Sequence, residues 1–164
     1  MAGLARMPAR FLLKGKMTKK IVVGLLAAWA VWQVHAADDL WLTDLPKAQA
    51  RAKMENKMVL IDFNGSDWCP PCKALKKNVL SSQEFIDYAK KNLVLVDVDF
   101  PHNKEQSAEL KKANQALGEK YSVEGLPTVV LLSSEGKELS KKAGYGGQDT
   151  KGFIADLEKL KKQG

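Results

Sequence analysis

The only two cysteines of the 164-residue chain stand in the stretch DFNGSDWCPPCK, as Cys69 and Cys72, with Pro70 and Pro71 between them and Trp68 before the first. The apolar run MVLIDF precedes this stretch and PPCKALKKNVL, with helical spacing, follows it. The spacing therefore predicts that Cys69 sits at a strand-to-helix junction, at or just before the helix N-terminus. Free backbone N–H groups and the helix dipole favour a thiolate there. A thiolate is the attacking species in thiol–disulfide exchange. Cys72 lies one turn later on the same side, where it could attack a mixed disulfide and release the partner. That chemistry requires one sulfur to be exposed and ionisable.

Two other uses of the pair compete with exchange. A permanent structural disulfide is possible, but so small a loop constrains little of the unfolded chain. A structural zinc site needs about four ligands. Beyond the two thiols, only His102 is available after the leader, and its stretch DFPHNKE reads as a strand-to-helix loop. No metal and no cofactor are expected, and His102 reads as an exposed loop residue.

The elements that must hold the pair follow from periodicity. Leu45 to about Asn56 reads as a helix with Asp44 as its cap and Pro46 in the first turn. MVLIDF and LVLVDVDF are short, nearly continuous apolar runs, as expected of strands buried on both faces. In SSQEFIDYAKKN, Ser81 and Glu84 have the spacing of a capping box. Asn103 is a plausible cap for a long helix turning Leu110, Ala113, Ala116, Leu117 and Tyr121 inward. PTVVLLS is a third strand, and SEGK turns it back into an edge strand, ELSKKAG. Asp149 or Thr150 caps a last helix whose apolar stripe is Phe153, Ile154, Leu157 and Leu160. Strands alternating with helices, then a hairpin and a helix, predict an α/β three-layer sandwich: a central mixed β-sheet flanked by helices.

Ahead of this domain, residues 1–36 carry a basic stretch, an apolar run from Ile21 to about Val34 and small residues at the end. That order is the signature of a secretory signal peptide, with cleavage after Ala36 and Ala37 as the next candidate. A retained membrane anchor is the alternative, although the run is short for a span of ~20 residues and Gln33 and His35 interrupt its end. Met17, just before TKK, offers a second start. The whole chain has a formal charge of +7, but six of its 26 basic residues fall within residues 1–36, which hold no acid. The remaining 20 are balanced by 19 acids, so the basic character belongs to the leader and supports no nucleic-acid partner. Residues 37–164 have the length of one compact domain.

DFNGSDWCPPCK followed well downstream by VEGLPTVVLL resembles the thioredoxin superfamily over nearly all of residues 37–164, and within it the exported bacterial thioredoxin-like proteins. The resemblance implies roles at matching positions. Cys69 would be the nucleophile and Cys72 the resolving thiol. Pro127 would be a cis-proline facing the dithiol, Leu126 would border the substrate groove, and Trp68 would shield the site. Asp62 would assist proton transfer at the resolving cysteine, its pKa raised by burial. Two departures stand out. Asp62 is seven positions before Cys69, one more than usual, so the loop between them must bulge. The lysine that often accompanies the acid from the next strand is absent from LVLVDV.

Neither proline between the thiols has a backbone N–H or a side chain that can hydrogen-bond the Cys69 sulfur. Only the Cys72 N–H, the helix dipole and Lys73 remain to favour the thiolate, which predicts a moderately lowered thiol pKa and a reducing or intermediate potential. The expected function is an exported thiol–disulfide oxidoreductase, monomeric and periplasmic or secreted, that reduces protein disulfides and draws electrons from a membrane donor protein. A disulfide oxidase or isomerase is the alternative, and a thioredoxin-fold binding or chaperone module is a third.

Overall fold

A computed structural model describes residues 40–162. The leader read in residues 1–36 lies outside the described residues, as does its cleavage position. Five strands form one sheet in the order β1-β3-β2-β4-β5, where β1 is Trp41–Leu42, β2 Met58–Asn64, β3 Leu93–Asp99, β4 Thr128–Leu132 and β5 Glu138–Ala143. β3 runs parallel to both β1 and β2, while β4 is antiparallel to β2 and to β5. The expected mixed sheet is present. Its first edge strand, β1, escapes sequence reading because two residues carry no periodicity.

The sheet faces follow from the alternation of side chains along a strand. Val59, Ile61 and Phe63 of β2 and Val94, Val96 and Val98 of β3 point one way. They are covered by Leu45, Ala48 and Ala52 of helix α1 (Leu45–Glu55) and by Tyr121 and Leu117 at the end of α4 (Ala108–Lys120). Met58, Leu60, Leu93 and Leu95 point the other way. They meet α2 (Pro70–Leu75), its π-helical continuation Lys76–Leu80, α3 (Gln83–Asn92) and α5 (Thr150–Lys161). Phe85 and Phe153 join α3 to α5 edge-on, with centroids 6.0 Å apart.

Several helix starts fall where the sequence places them, and two do not. Asp44 accepts from Lys47 N, and Asp149, rather than Thr150, accepts from Gly152 N. α3 is capped by Ser82, whose hydroxyl accepts from Phe85 N, and not by Ser81. The Ser81 N–H is bound instead to Lys76 O, closing the wide turn before α3. α4 begins at a Ser107 cap, whose hydroxyl accepts from Leu110 N, rather than at Asn103, whose N–H is held by the Asp67 carboxylate. Of the five residues expected to face inward on α4, Ala113 and Ala116 are exposed. The buried position is Asn114, whose amide donates to Asp99 O at 2.9 Å.

Phe85 is fully buried between two helices, so Phe85→Ala should lower stability by about 3–5 kcal/mol. Met54, 82% exposed on α1, should tolerate Ala within about 0.5 kcal/mol. Urea unfolding of both variants checks the pair.

Candidate active site

β2 is buried along its whole length, and its apolar alternation changes character at its C-terminal end. On the face shared with Leu60, the next two positions are Asp62 and Asn64. On β3, the positions after Leu95 are Asp97 and Asp99. Register pairs Asp62 with Asp97 and Asn64 with Asp99. Four polar side chains therefore share one face at the end of two parallel strands, where the chain leaves β2 for the cysteine turn.

That exit is a tight turn. Gly65 O accepts from Trp68 N and Cys69 N, which absorbs the extra residue between Asp62 and Cys69. Gly65 cannot carry a side chain there, because a Cβ would lie 2.5 Å from the Trp68 ring. The turn is tied to the end of β3 and the loop after it at three successive residues. Asp99 accepts from the Ser66 N–H and hydroxyl at 2.8 and 2.6 Å. The Asp67 carboxylate accepts from the backbone N–H groups of His102 and Asn103, and these bonds, Asn103 first, lower its pKa. Trp68 donates its indole N–H to Phe100 O at 2.8 Å and stacks flat on His102 at 4.3 Å. His102 is thus exposed, as expected, but it is also the platform under Trp68.

Cys69 caps α2, with Pro70 and Pro71 in the first turn, and its sulfur accepts from Cys72 N at 3.3 Å. The two sulfurs are joined as a disulfide. The expectation of an exposed sulfur does not hold for this oxidised form: Cys69 is 2% exposed and Cys72 5%. The bond itself accounts for part of this, since each sulfur covers the other. Lys73 does not face the sulfur with a free ammonium; its Nζ donates to Asp67 O at 2.7 Å.

The Leu126–Pro127 bond is cis. Pro127 is buried one position before the Phe63–Thr128 pair, at the same sheet end as the cysteine turn. Leu126 is half-buried and shares a groove with Trp68, Phe100, Gly118 and Val123, with Glu119 and Glu124 at its sides.

Asp62 is 6% exposed, and its Oδ1 has no hydrogen-bond partner. Burial, and then the Asp97 charge, raise its pKa to about 7, while Lys76 opposes the shift. The cation missing from β3 is therefore supplied by the helix, one turn after Cys72 on the same side. Asn64 bridges the two acids, donating to Asp97 Oδ1 at 2.6 Å and more weakly to Asp62 Oδ2 at 3.4 Å. Burial also raises the Asp97 pKa, and the Asn64 hydrogen bond lowers it. Asn64, Asp67, Lys76, Asp97 and Asp99 were not among the residues predicted from sequence. The signal for the strand residues was present in the alternation of MVLIDFN and LVLVDVD. Among the described residues, no group of three or more His, Cys, Asp or Glu side chains converges to hold a metal ion.

A redox-capable cysteine pair at a helix start, beside a cis-proline and above a buried acid, defines a thioredoxin-type site on a thioredoxin-type fold. Residues 45–161 match the thioredoxin-like domain family, and the chain belongs to it. Curated relatives carry thiol–disulfide names. The disulfide bond reductase DsbH of Chlamydia pneumoniae is 36% identical over 106 residues, covering 65% of this chain and 64% of that protein. The thiol:disulfide interchange protein DsbD of Klebsiella pneumoniae is 35% identical over 109 residues, covering 66% of this chain and 17% of that protein. The chain thus spans less than two thirds of the length of either. Among solved structures, a DsbH oxidoreductase superposes with a TM-score of 0.69 at 30% identity, covering 74% of this chain and 83% of that one. The matched region is a thiol–disulfide oxidoreductase domain.

Asp62 makes stability depend on pH in a definite direction. Between its ordinary value of 3.8 and about 7, the folded protein keeps a proton that the unfolded chain releases. Stability therefore falls as pH rises through that window and levels off above it. Asp62→Asn removes the effect. The variant should gain on the wild type by on the order of 4 kcal/mol between pH 4 and pH 8. Denaturant unfolding at both pH values checks this, and a gain independent of pH would contradict the buried-acid assignment.

Proposed function

We propose that the protein is an exported reductase of protein disulfides, with residues 37–164 as its mature domain. The observation that carries this reading is the Cys69–Cys72 pair itself, set at the start of α2 with prolines at both intervening positions. In the reduced enzyme, Cys69 attacks a substrate disulfide, forming a mixed disulfide and releasing the first substrate thiolate. Cys72 then gives up its proton, attacks Cys69 and expels the second substrate thiolate. Two electrons pass to the substrate and the Cys69–Cys72 bond re-forms. Asp62 takes the Cys72 proton. Pro127 and Leu126 border the bound substrate segment, and Trp68 forms the opposite wall of the groove.

Two features support the reducing direction. No N–H from Pro70 or Pro71 reaches the Cys69 sulfur, so only the Cys72 N–H stabilises its thiolate locally. Where the thiolate is only weakly stabilised, the reduced form is less favoured relative to the disulfide than in a strong oxidant, and the dithiol gives up its electrons more readily. The relative most fully covered by the matches above is itself named a disulfide bond reductase. Export rests on the leader pattern. In an oxidising envelope, a reductase of this kind is re-reduced by a donor in the membrane, and the domain acts as a monomer. Among the described residues no helix is long and apolar enough to cross a membrane.

Equilibration with glutathione should give a reduction potential below about −200 mV, and a value near the −120 mV of strong oxidants would reverse the assigned direction. Cys72→Ser should accumulate envelope proteins as mixed disulfides on Cys69. A binding module would retain its partners equally well in the double Cys69→Ser, Cys72→Ser variant.

A further inference from the structure

The groove beside Leu126 encloses about 800 Å³ and adjoins the site at two points of the chain. Trp68, on its lining, immediately precedes Cys69, and Leu126 immediately precedes the cis-proline Pro127. Its apolar part is made of Trp68, Phe100, Val123 and Leu126. A Cβ added at Gly125 would meet nothing within 4 Å, so the chain beside Leu126 is left open to a docking segment.

The charge of this groove has one sign. Among the described residues that line it, the ionisable side chains are Glu119 and Glu124, and both are exposed. Neither takes part in any of the salt bridges among the described residues. Nearby cations are directed elsewhere. Lys120 lies over the Tyr121 ring at 5.3 Å, and Lys141 donates to Tyr121 O and Ser122 O. Glu138 of β5 adds a further negative charge near Tyr121. On the other side of Trp68 and Phe100, a second groove carries Lys104 and Lys111 beside Glu105, and the Lys104 ammonium is bound to the Ser66 hydroxyl. The acidic side is therefore the one that Leu126 shares.

Taking the protein as the disulfide reductase proposed above, we infer that this groove selects substrate segments whose disulfide cysteine is flanked by an apolar side chain and by a lysine or arginine. The apolar side chain packs against Phe100, Val123 and Leu126, and the cation meets Glu119 and Glu124. Trp68 is 40% exposed yet already fixed by Phe100 O and the His102 ring, so docking on it costs little further ordering. A single exposed ion pair contributes little. Two carboxylates act here on one cation, and complementary charge governs the rate of encounter and the rejection of wrong partners more than affinity. An acidic segment meets only like charge in this groove.

The test uses disulfide-linked dimers of a short synthetic peptide, with leucine beside the cysteine and lysine, glutamine or glutamate as the next flanking residue. The reduced protein is mixed with each dimer, and each rate is divided by that of dithiothreitol with the same dimer. This division removes the effect of the flanking charge on the disulfide itself. The lysine peptide should react at least about threefold faster than the glutamate peptide at low salt, with glutamine between them. The ratio should shrink toward one as salt is raised. It should shrink likewise in the double variant Glu119→Gln, Glu124→Gln, whose changes lie at exposed positions where the fold tolerates them. A ratio near one in the wild type, a preference for glutamate, or a preference that survives in the double variant would overturn the inference. The same peptides as free thiols, mixed with the oxidised protein, separate this result from the function reading. A lysine preference in a protein whose exchange equilibrium lies with the oxidised peptide would sink the reductase reading alone. Reduction of all three dimers at equal normalised rates would sink the selectivity alone, and a protein that exchanges with none would sink both.

Discussion

A carboxyl group enclosed at the end of the central strand is the constraint around which the rest of this site is arranged. Asp62 lies between β3 and β4, under the helix that carries Cys72, with one oxygen left without a protein partner. Burying an acid raises the cost of its charged form. Here that cost is increased by Asp97 in register beside it and reduced by Lys76 from above. A group held so near its balance point responds to small changes in its surroundings, which suits a side chain that must both accept and release a proton near neutral pH. The apolar layers of the sheet account for the desolvation, while the polar neighbours Asn64, Asp97 and Lys76 at the strand end leave Asp62 a partly polar setting.

The cysteine turn needs a second kind of support. A glycine-initiated loop between a strand and a helix has little packing of its own, and its position is fixed here from outside. Ser66, Asp67 and Trp68 each bond to the segment 99–103, one after another. The bonds to Asp67 and Asp99 are charge-assisted, and such bonds are roughly twice as strong as neutral ones. The same segment is anchored to α4 through Asn114 and to the loop before it through Gln106, both of which donate to Asp99 O. The wall of the groove at Trp68 is thus connected to the helix behind it through a run of hydrogen bonds, and the indole is held by its N–H and by the His102 ring.

How much of this was legible in the sequence depends on the kind of signal each feature leaves. Apolar runs such as MVLIDF and LVLVDV identify their strands because a buried strand has few alternatives to branched and aliphatic residues. Asp44 and Asp149 identify their helix starts because a cap is a local bond within three residues. Ser82 and Ser107, not Ser81 and Asn103, make the capping bonds; Ser81 closes the π-turn through Lys76 O and Asn103 is held to Asp67, and no local pattern records a bond to a residue 36 positions away. Lys76 was invisible as a partner of Asp62 for the same reason. Once β2 and β3 are set in register, the alternation of their last residues gathers Asp62, Asn64, Asp97 and Asp99 on one face, but register is a property of the folded sheet and not of either strand alone.

On the proposed reading, the two prolines and the buried acid are parts of one arrangement. Strong thiolate stabilisation at Cys69 would need donors from the dipeptide between the thiols, and prolines supply none. The Cys72 N–H and the end of a short helix are left to act on that sulfur, so the bias toward one redox state cannot be concentrated there. Control then passes to the second half of the exchange, where Cys72 must lose a proton before it can close the disulfide. An acid below Cys72, with its affinity set by an aspartate on one strand and a lysine on the helix, acts on that step without touching the substrate. The groove beside Trp68 and Leu126 and the buried acid consequently lie toward opposite faces of the sheet, Leu126 packing with the layer of Val59 and Phe63 and Asp62 following Leu60 on the other face.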